Sequence, residues 1–561
     1  MSDLPVPTKP SEVPSPTRRM FPASDRFIPK TERVFVNRNL RFSQIAAIGF
    51  DLDHTLAHYD DLAIEKLAFE LTKKKLVEKR GYPAEVLRFK YDPTFVVRGL
   101  VVDKLRGNVI KMDYFRYVAR AYHGLRRLDA EERARTYNER SPRFAGEGFA
   151  SVDTLFHLPE VYLYLLLVDL LEKGGGRIDY VKIYDDVRAM IDEAHGDGSL
   201  KAVITRNVGS FVRRDPRLPM VLDEFRRAGK KLFLLTNSEW YYSATLLEHL
   251  LQRRKVDKPW EKYFDLIVVA SRKPGFFGID GSRTPEAVET TTGVPAWAGG
   301  TAAILEERLG VSGDEILYFG DHTYGDILRS KKSLGWRTAM IVPEVKREVA
   351  VTQEQARAYK SLERLAHEHD QIETEKAALG REWRKLAIAL GGEDGDLRAA
   401  ELLGLPDPRR VAGPTLPVGN PRVDSPVAAA TGVPATNGDL PARLKALLEG
   451  TGSGPGGRRT RGDRRRAGRV RELSEMAQRI ADLDHRAASL AGRIRALRRK
   501  VEAAYNPHWG SVFREGNEAS RFGNQLKDFA CVYTSDVENF LHYPWNYYFQ
   551  SPVSVMPHDL E

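Results

Sequence analysis

Four short polar segments of this chain each follow an apolar stretch with the composition of a buried strand. In an open α/β sheet the carboxyl ends of parallel strands meet at one edge, so side chains that follow different strands converge there. The sequence therefore predicts a parallel α/β sheet with one polar site at its edge. The strands and segments are residues 45–50 with Asp51 and Asp53, residues 230–235 with Thr236, Asn237 and Ser238, residues 266–270 with Lys273, and residues 315–320 with Asp321 and Asp326.

The residue types in these segments are those that phosphoryl transfer requires. A phosphate ester is an anion that repels nucleophiles, so its site needs a cation, donors for the phosphate oxygens and a positioned attacking group. Asp51 stands where a nucleophile would, and Asp53 points the same way in an extended backbone, which suits a general acid and base. The other segments supply phosphate donors (Thr236, Asn237, Ser238), a positive charge (Lys273) and hard oxygen ligands for Mg²⁺ (Asp321, Asp326).

Each segment alone also has an ordinary structural explanation. Asp-x-Asp pairs are common in loops, and Thr-Asn-Ser after a strand caps many helices. Lys273 alone would be a solvated surface lysine, and Asp321 alone would be a helix cap. Their recurrence in one order after four apolar strands favours the functional interpretation.

The set resembles the four motifs of the haloacid dehalogenase-like hydrolase superfamily, in which a second Asp two residues after the nucleophile distinguishes phosphatases from dehalogenases. Asp53 is that residue here. More narrowly, the chain resembles the cytosolic purine 5'-nucleotidases that prefer IMP and GMP, including their bacterial relatives. The likeness runs from about residue 33 to 342 and from about 506 to 559, and is carried by residues 33–38, 51–57, 154–160, 236–238, 272–274, 320–332, 510–514 and 543–545.

This resemblance implies a role for each matching residue. Asp51 would form an aspartyl-phosphate and Asp53 would act as general acid and base. Magnesium would be held by Asp51, Asp321 and the backbone carbonyl of Asp53, with Asp326 nearby. Phosphate would be bound by Thr236, Asn237 and Lys273, with Lys201 as a further contact.

The resemblance also implies where the purine binds. Phe156 would stack on the base, while Arg188 and Asp192 would read its edge. From spacing alone, Arg188 and Asp192 stand four apart on a helix, and an ordinary surface ion pair explains them equally well. His157 stands where some relatives have Asn.

Regulation is implied only in part. Animal relatives are activated by adenine nucleotides beside the stretch that corresponds to Tyr324 and Lys332, with further contacts around Gln525. These residues offer an aromatic face, a cation and an amide. Asp528 falls where those relatives carry Arg, and it would repel a polyphosphate. We therefore expect weak or absent activation by ATP.

The insertion between Asp51 and Thr236 is too long for one βα connection. In this superfamily such an insertion is a cap, and amphipathic stretches at 62–79 and 158–173 predict a mainly helical lid. After residue 342 the apolar pattern changes to heptad spacing in two arms, which would fold back as an antiparallel hairpin or equally form a subunit contact. We expect a homo-oligomer.

These patterns divide the 561 residues into several regions. We predict a disordered tail at 1–30, a catalytic core at 31–60 and 215–345, the cap at 61–214, coiled-coil arms at 346–390 and 469–505, a disordered Gly/Pro/Arg-rich linker at 391–468, and a C-terminal segment at 506–561 that packs on the core.

Composition narrows the expected cellular location and the expected binding partners. Cys531 is the single cysteine, which fits a reducing cytosol, and no apolar run is long enough to span a bilayer, so we expect a cytoplasmic protein. The formal net charge is +10, and an arginine run at 458–469 carries much of it. Such a run can contact nucleic acid by counterion release, but no aromatic residues interleave to stack on bases, which favours a solvated segment.

Three functions fit the sequence. The leading one is a magnesium-dependent phosphatase of purine nucleoside 5'-monophosphates that also passes the phosphoryl group to nucleosides, as relatives do. The second keeps the chemistry but acts on a sugar phosphate or phosphoprotein, which leaves Phe156, Arg188 and Asp192 unexplained. The third is a nonenzymatic coiled-coil scaffold, which leaves the intact Asp51 and Asp53 unexplained.

Overall fold

The computed structural model describes residues 28–139, 146–175, 177–252, 257–278, 284–402 and 461–552. The chain forms two compact units. One comprises Met1–Leu128, Arg135–Val351 and Ser511–Glu561, and the other comprises Asp129–Ala134 and Thr352–Gly510. Residues 1–27 of the predicted tail and residues 403–460 of the predicted linker lie outside the described part.

The first unit is built on a nine-stranded mixed sheet. Seven neighbouring strands are parallel, and only the pairs at the two edges are antiparallel. This confirms the predicted α/β class with a parallel sheet. In spatial order the strands are β1 (Phe35–Val36), β19 (Val532–Thr534), β16 (Arg337–Ile341), β15 (Ile316–Gly320), β3 (Ala47–Phe50), β11 (Lys231–Leu235), β12 (Leu266–Val269), β14 (Ala296–Ala298) and β13 (Glu286–Ala287).

Strand β3 lies at the centre of this sheet, between β15 and β11. The chain runs from β3 to β11 on one side and returns to β15 on the other, and α/β sheets bind ligands where the direction of winding reverses in this way. Strands β3, β12 and β15 are apolar and fully buried because both faces of the sheet are covered there. Gly49 permits a close approach, since a Cβ there would lie 2.2 Å from the Phe233 ring.

Helices of the first unit pack on the sheet or build the insertion. The C-terminal segment contributes both β19 and a helix. The helices of the first unit are α1 (Asp61–Arg80), α3 (Leu158–Lys173), α4 (Tyr180–Gly196), α5 (Ser199–Arg206), α6 (Arg217–Arg227), α7 (Trp240–Leu251), α8 (Ala302–Leu309), α9 (Arg329–Leu334), α10 (Glu344–Glu354, which ends in the second unit) and α13 (Arg521–Phe529).

The insertion contains a five-stranded antiparallel sheet beside its helices. The prediction of a mainly helical insertion left this sheet out. Its central strands are buried on both faces and include polar residues, so they lack the alternation that marks a half-buried strand. In spatial order they are β8 (Arg126–Arg127), β7 (Val118–His123), β6 (Asn108–Met112), β5 (Val101–Asp103) and β9 (Phe149–Ser151).

Three further strand pairs complete the first unit. The pair that flanks the insertion is β4 (His58–Tyr59) with β10 (Val212–Arg213), in which His58 faces Arg213 in the antiparallel register. The other two pairs are β2 (Leu40–Arg41) with β20 (Tyr548–Phe549), and β17 (Arg514–Glu515) with β18 (Glu518–Ala519).

The second unit contains α2 (Ala130–Arg133) and two long helices, α11 (Ala356–Leu402) and α12 (Arg461–Tyr505). Leu365 and Ile372 pack with Leu483 and Leu490, while Trp383 packs with a more N-terminal part of α12, so the helices run antiparallel. Lys376, which interrupts the heptads, forms a 2.9 Å ion pair with Asp484.

This antiparallel arrangement agrees with the hairpin, one of the two arrangements expected for the arms, and the coiled coil stays a prediction. The helices extend further than predicted, because residues 391–402 and 461–468 of the expected linker are helical. None of the helices in the described part of the chain combines the length and apolar character that crossing a bilayer requires.

Candidate active site

Three buried carboxylates meet at the carboxyl edge of the core sheet. Asp51 follows β3 directly, and its amide donates a 2.9 Å hydrogen bond to the carbonyl of Phe319 in β15. Asp321 follows β15 directly, and Asp326 lies on the turn beyond it. One carboxylate oxygen from each residue lies within 4.8 Å of the others. The structure thus brings together the predicted nucleophile and the predicted metal ligands.

Lys273 is the cation of this cluster. Its Nζ lies 2.8 Å from Oδ1 of Asp51 and 2.7 Å from Oδ1 of Asp326, and it donates a 2.8 Å hydrogen bond to the Tyr318 hydroxyl. That hydroxyl donates in turn to the carbonyl of Leu235 at 3.1 Å. Burial lowers the pKa of Lys273, but Asp326 and Asp51 raise it by more, so its pKa is above the usual value and the side chain is charged.

The cluster holds three carboxyl groups and one ammonium group. Burial raises the pKa of Asp51 to about 7, Lys273 opposes this shift, and the charges of Asp326 and Asp53 add to it. Burial and the same neighbouring carboxylates raise the pKa of Asp321 well above its usual value. A divalent cation would neutralise this excess and stabilise the ionised forms.

The donor set fits such a cation. Oδ2 of Asp321 is buried and has no hydrogen-bond partner among the described residues, so it is available as a ligand. Carboxylate oxygens are the ligands that Mg²⁺ prefers. Gly320 makes room for the arrangement, since a Cβ at this position would lie 2.6 to 2.9 Å from side-chain atoms of Asp326. The cluster is therefore compatible with a divalent metal.

The carboxylate of Asp53 has different surroundings. It accepts a 2.5 Å hydrogen bond from the Tyr59 hydroxyl and a 2.7 Å hydrogen bond from Oγ of Ser238, and the Tyr59 hydroxyl also contacts that of Tyr242 at 2.8 Å. Two donors thus fix the orientation of Asp53 beside the carboxylate cluster. Ser238 was predicted as a phosphate contact, and in the structure its hydroxyl donates this hydrogen bond to Asp53.

The loop that carries Lys273 is held by Asn237. Oδ1 of Asn237 accepts hydrogen bonds from the Lys273 amide at 2.6 Å and from Oγ of Ser271 at 2.9 Å, and Nδ2 donates to the Lys273 carbonyl at 3.1 Å. The buried hydroxyl of Thr236 accepts from the Ser238 amide at 3.0 Å. In this structure Thr236 and Asn237 therefore shape the turn that faces the cluster.

A cleft of about 340 Å³ extends from the carboxylates towards the insertion. Its far wall comes from α3, α4 and the turn before α3. All four predicted base-binding residues lie on it, together with residues that the sequence analysis did not select. The wall residues are Thr154, Phe156, His157, Glu160, Arg188, Ile191, Asp192 and His195.

Arg188 is held by two carboxylates on this wall. Its Nη1 lies 2.8 Å from Oε2 of Glu160, and its Nε lies 3.0 Å from Oδ2 of Asp192. Glu160 is fully buried, and burial raises its pKa while Arg188 opposes the shift. The ion pair with Asp192 that spacing suggested is present, but the buried partner is Glu160. Glu160 directly precedes the apolar run of α3, and its spacing in the sequence does not relate it to Arg188.

Phe156 is framed by other rings. Its ring centroid lies 4.5 Å from that of His54 and 5.6 Å from that of His195, both in edge-to-face arrangements. Burial lowers the pKa of both His54 and His157 to about 3, so both imidazoles are neutral. This part of the wall is aromatic and uncharged, which suits the face of a planar heterocycle.

A buried arginine from the insertion also reaches the site, and the sequence analysis missed it. Nη1 of Arg98 donates a 3.0 Å hydrogen bond to the carbonyl of Asp321, while Nε and Nη2 bind Glu344 at 2.7 and 2.5 Å. Arg98 is 2% exposed. A single arginine shortly before β5 carries no local signal for such a contact.

Four predicted site residues have other positions. Lys201 is not on the cleft and pairs with Glu239. Tyr324, predicted for an effector site, lines the active-site cleft. Lys332 is exposed on α9, and Gln525 is half-buried on α13.

The sheet, the carboxylate cluster and the cleft define an α/β protein with a divalent-metal-compatible site at the switch point of its sheet. A family model described as the 5' nucleotidase family matches residues 34–399 and 457–561. The chain belongs to this family.

Two curated relatives carry the same domain name. A 5'-nucleotidase domain-containing protein of Dictyostelium discoideum is 31% identical over 337 residues, and 5'-nucleotidase domain-containing protein 2 of Rattus norvegicus is 30% identical over 341 residues. Each match covers 57% of this chain, and the chain spans 56% and 60% of the two relatives.

Solved structures give a weaker likeness. A β-phosphoglucomutase-like protein of Thermotoga maritima and CbbY of Rhodobacter sphaeroides are each 15% identical, with TM-scores of 0.22 and 0.21. Each match covers 53% of this chain and 86% of the other.

Proposed function

We propose that this protein is a Mg²⁺-dependent 5'-nucleotidase that hydrolyses purine nucleoside 5'-monophosphates, with IMP and GMP as preferred substrates. One observation carries the proposal: a single cleft joins the Asp51, Asp321 and Asp326 cluster to Phe156 and Arg188. The same proposal makes it a cytoplasmic, bacterial-type member of the haloacid dehalogenase-like superfamily, in which a nucleoside can replace water as acceptor.

The first half of the reaction uses both aspartates that follow β3. A carboxylate oxygen of Asp51 bonds to phosphorus while the bond from phosphorus to the 5' oxygen breaks, and protonated Asp53 gives its proton to that leaving oxygen. Lys273 opposes the negative charge of the transferring group. Bound Mg²⁺, held by Asp51, Asp321, Asp326 and the carbonyl of Asp53, would neutralise phosphate charge.

The second half regenerates the enzyme. Ionised Asp53 takes a proton from a water molecule whose oxygen bonds to phosphorus, and the bond between phosphorus and Asp51 breaks. Inorganic phosphate leaves and both aspartates return to their starting forms. The hydrogen bonds from Tyr59 and Ser238 keep Asp53 in one orientation through both steps.

Substrate choice comes from the insertion wall. The Phe156 ring offers a face for stacking, and Arg188 offers donors for base oxygens or nitrogens of a purine. Glu160 holds Arg188 in place from beneath, at 2.8 Å. A sugar phosphate would leave these contacts unused, so it would lose the binding energy that positions the phosphate.

The test is phosphate release by the purified full-length protein from IMP, GMP, CMP, ribose 5-phosphate and a phosphoserine peptide, in excess MgCl₂ or in EDTA. We expect Mg²⁺-dependent release from IMP and GMP that is faster than from the other substrates by about 10-fold or more. Equal rates on ribose 5-phosphate would overturn the substrate class. No release from any substrate would overturn the enzymatic function.

A further inference from the structure

A second group of metal-binding side chains lies outside the active-site cleft. His58, Asp536 and Glu538 are all buried, and one ligand atom of each lies within 4.8 Å of the others. Nε2 of His58 is 3.7 Å from both Oδ1 of Asp536 and Oε2 of Glu538. None of the three residues lines the cleft. We call this group the His58 cluster.

The His58 cluster contains polar atoms that no other described group satisfies. Glu538 is 1% exposed, and both of its carboxylate oxygens lack a hydrogen-bond partner. His58 is 8% exposed, and its Nε2 also lacks one. Buried carboxylates and imidazole nitrogens are normally hydrogen-bonded, because leaving them bare loses the hydration they had in the unfolded chain. These three buried atoms lack hydrogen-bond partners and lie close together, which indicates that a bound ion lies between them.

The neighbouring arginine and lysine side chains contact only one of the two carboxylates. Asp536 is bound by Nη2 of Arg213 at 3.3 Å and by Nζ of Lys346 at 2.6 Å, and it accepts a 2.6 Å hydrogen bond from Oγ of Ser535. Glu538 makes no such contact among the described residues. Within ion-pair distance it has His58 alone among the described residues, at 3.7 Å.

A proton on His58 would not satisfy these atoms. A separation of 3.7 Å from Nε2 to each carboxylate oxygen is too long for a hydrogen bond. It does fit two atoms that share one cation, since bonds from zinc to imidazole nitrogen and carboxylate oxygen are about 2.0 to 2.2 Å long. A metal ion between the three residues satisfies all of them together.

We propose that His58, Asp536 and Glu538 bind a divalent transition-metal cation, with Zn²⁺ as the best fit. One imidazole and two carboxylates suit Zn²⁺, whereas Mg²⁺ takes oxygen ligands and keeps much of its water. With three protein ligands, a water completes the tetrahedron. This site is separate from the all-carboxylate cluster at Asp51.

The position of the site gives the ion a structural role. His58 lies on β4, which flanks the insertion and pairs with β10, while Asp536 and Glu538 come from the C-terminal segment. The ion would therefore link the C-terminal segment to β4, the strand that follows Asp51 and Asp53 in the chain. Tyr59, the next residue, donates to Asp53, so the ion also steadies the strand that positions this hydrogen bond.

The first test is zinc binding by full-length protein that has been stripped with a chelator and titrated with ZnCl₂ by calorimetry. Asp321→Asn removes one of the three carboxylates of the active-site cluster, so this variant binds zinc more weakly at that cluster. We expect it to bind about one equivalent, and we expect His58→Gln or Glu538→Gln in the same background to weaken that binding by more than about 100-fold. His542→Gln, an exposed histidine of the same turn, is the matched control and keeps full affinity.

A second measurement identifies the ligand atoms directly. X-ray absorption at the zinc edge of Asp321→Asn with one equivalent of Zn²⁺ should show imidazole scattering that is lost when His58→Gln is added, whereas scattering from His322 or His157 of the cleft would remain. The proposal is overturned by a shell of oxygen atoms alone, by the absence of zinc binding in Asp321→Asn, or by unchanged affinity in a folded His58→Gln variant.

Discussion

The two ends of the active-site cleft are built in different ways. The carboxylate end comes from loops that directly follow β3, β11, β12 and β15, so neighbouring strands fix its geometry. The insertion end comes from one face of α3 and α4, where Arg188 depends on the buried Glu160. From this difference we expect different effects of mutation at the two ends. Changes at the carboxylate end should lower the rate on every substrate, and changes at the insertion end should lower it only on substrates that carry a base.

The largest expected effect lies at the carboxylate end. Asp51→Asn keeps the size of the side chain and removes the attacking charge, so kcat should fall on the order of 10⁴- to 10⁶-fold on every substrate. Phosphate release from IMP and from ribose 5-phosphate would be compared, with circular dichroism to confirm folding. Substantial turnover by the folded variant would contradict the role of Asp51.

Asp53→Asn tests the neighbouring acid and base. General acid and base catalysis contributes about 10²- to 10⁴-fold, so kcat should fall within that range on both substrates. Ser238→Ala removes one of the two hydrogen bonds to this carboxylate and should give a smaller loss. Kinetics that match the wild type in Asp53→Asn would reject the role.

Gly320→Ala tests the packing behind the proposed Mg²⁺ site. The added methyl group would lie 2.6 Å from Cβ of Asp326 and displace that carboxylate, so Mg²⁺ affinity should fall about 10- to 100-fold. Gly275→Ala is the matched control, because its methyl group would meet nothing within 4 Å. Affinity would be measured by calorimetry on both variants. Equal affinities would show that the loop accommodates the methyl group.

The smallest expected effect concerns Lys201. It pairs with Glu239 and lies off the cleft, and a partly exposed ion pair contributes only about 0 to 1 kcal/mol. Lys201→Met should therefore change kcat/KM for IMP by less than about threefold. A rise in KM of about tenfold on both substrates would instead restore Lys201 as a phosphate contact.

The carboxylate end was predictable from the sequence because each residue is local to a strand. Asp51, Lys273 and Asp321 were all selected from their positions after apolar stretches, and the parallel sheet brings them together. The contacts that hold them were not predictable. Tyr318, whose hydroxyl binds Lys273, is an ordinary core residue in the sequence.

The insertion end was predictable only through the family resemblance. Spacing identified the Arg188 and Asp192 pair, but Glu160 lies 28 residues away on another helix, and no local pattern connects it to Arg188. The five-stranded sheet was missed for a related reason, since its buried polar residues are satisfied by partners distant in sequence.

The most direct test of the central claim is kcat/KM for IMP and for ribose 5-phosphate, in wild type and in Arg188→Ala. We expect that wild type prefers IMP, and that Arg188→Ala loses about 10- to 100-fold in kcat/KM for IMP while kcat/KM for ribose 5-phosphate changes by less than about threefold. Arg188→Lys keeps a positive charge next to Glu160 and serves as the control for loss of this ion pair. Thermal melts of both variants measure how much the loss of the Glu160 contact destabilises the protein. An equal loss on both substrates would make Arg188 a structural ion pair and would contradict base recognition by the insertion wall.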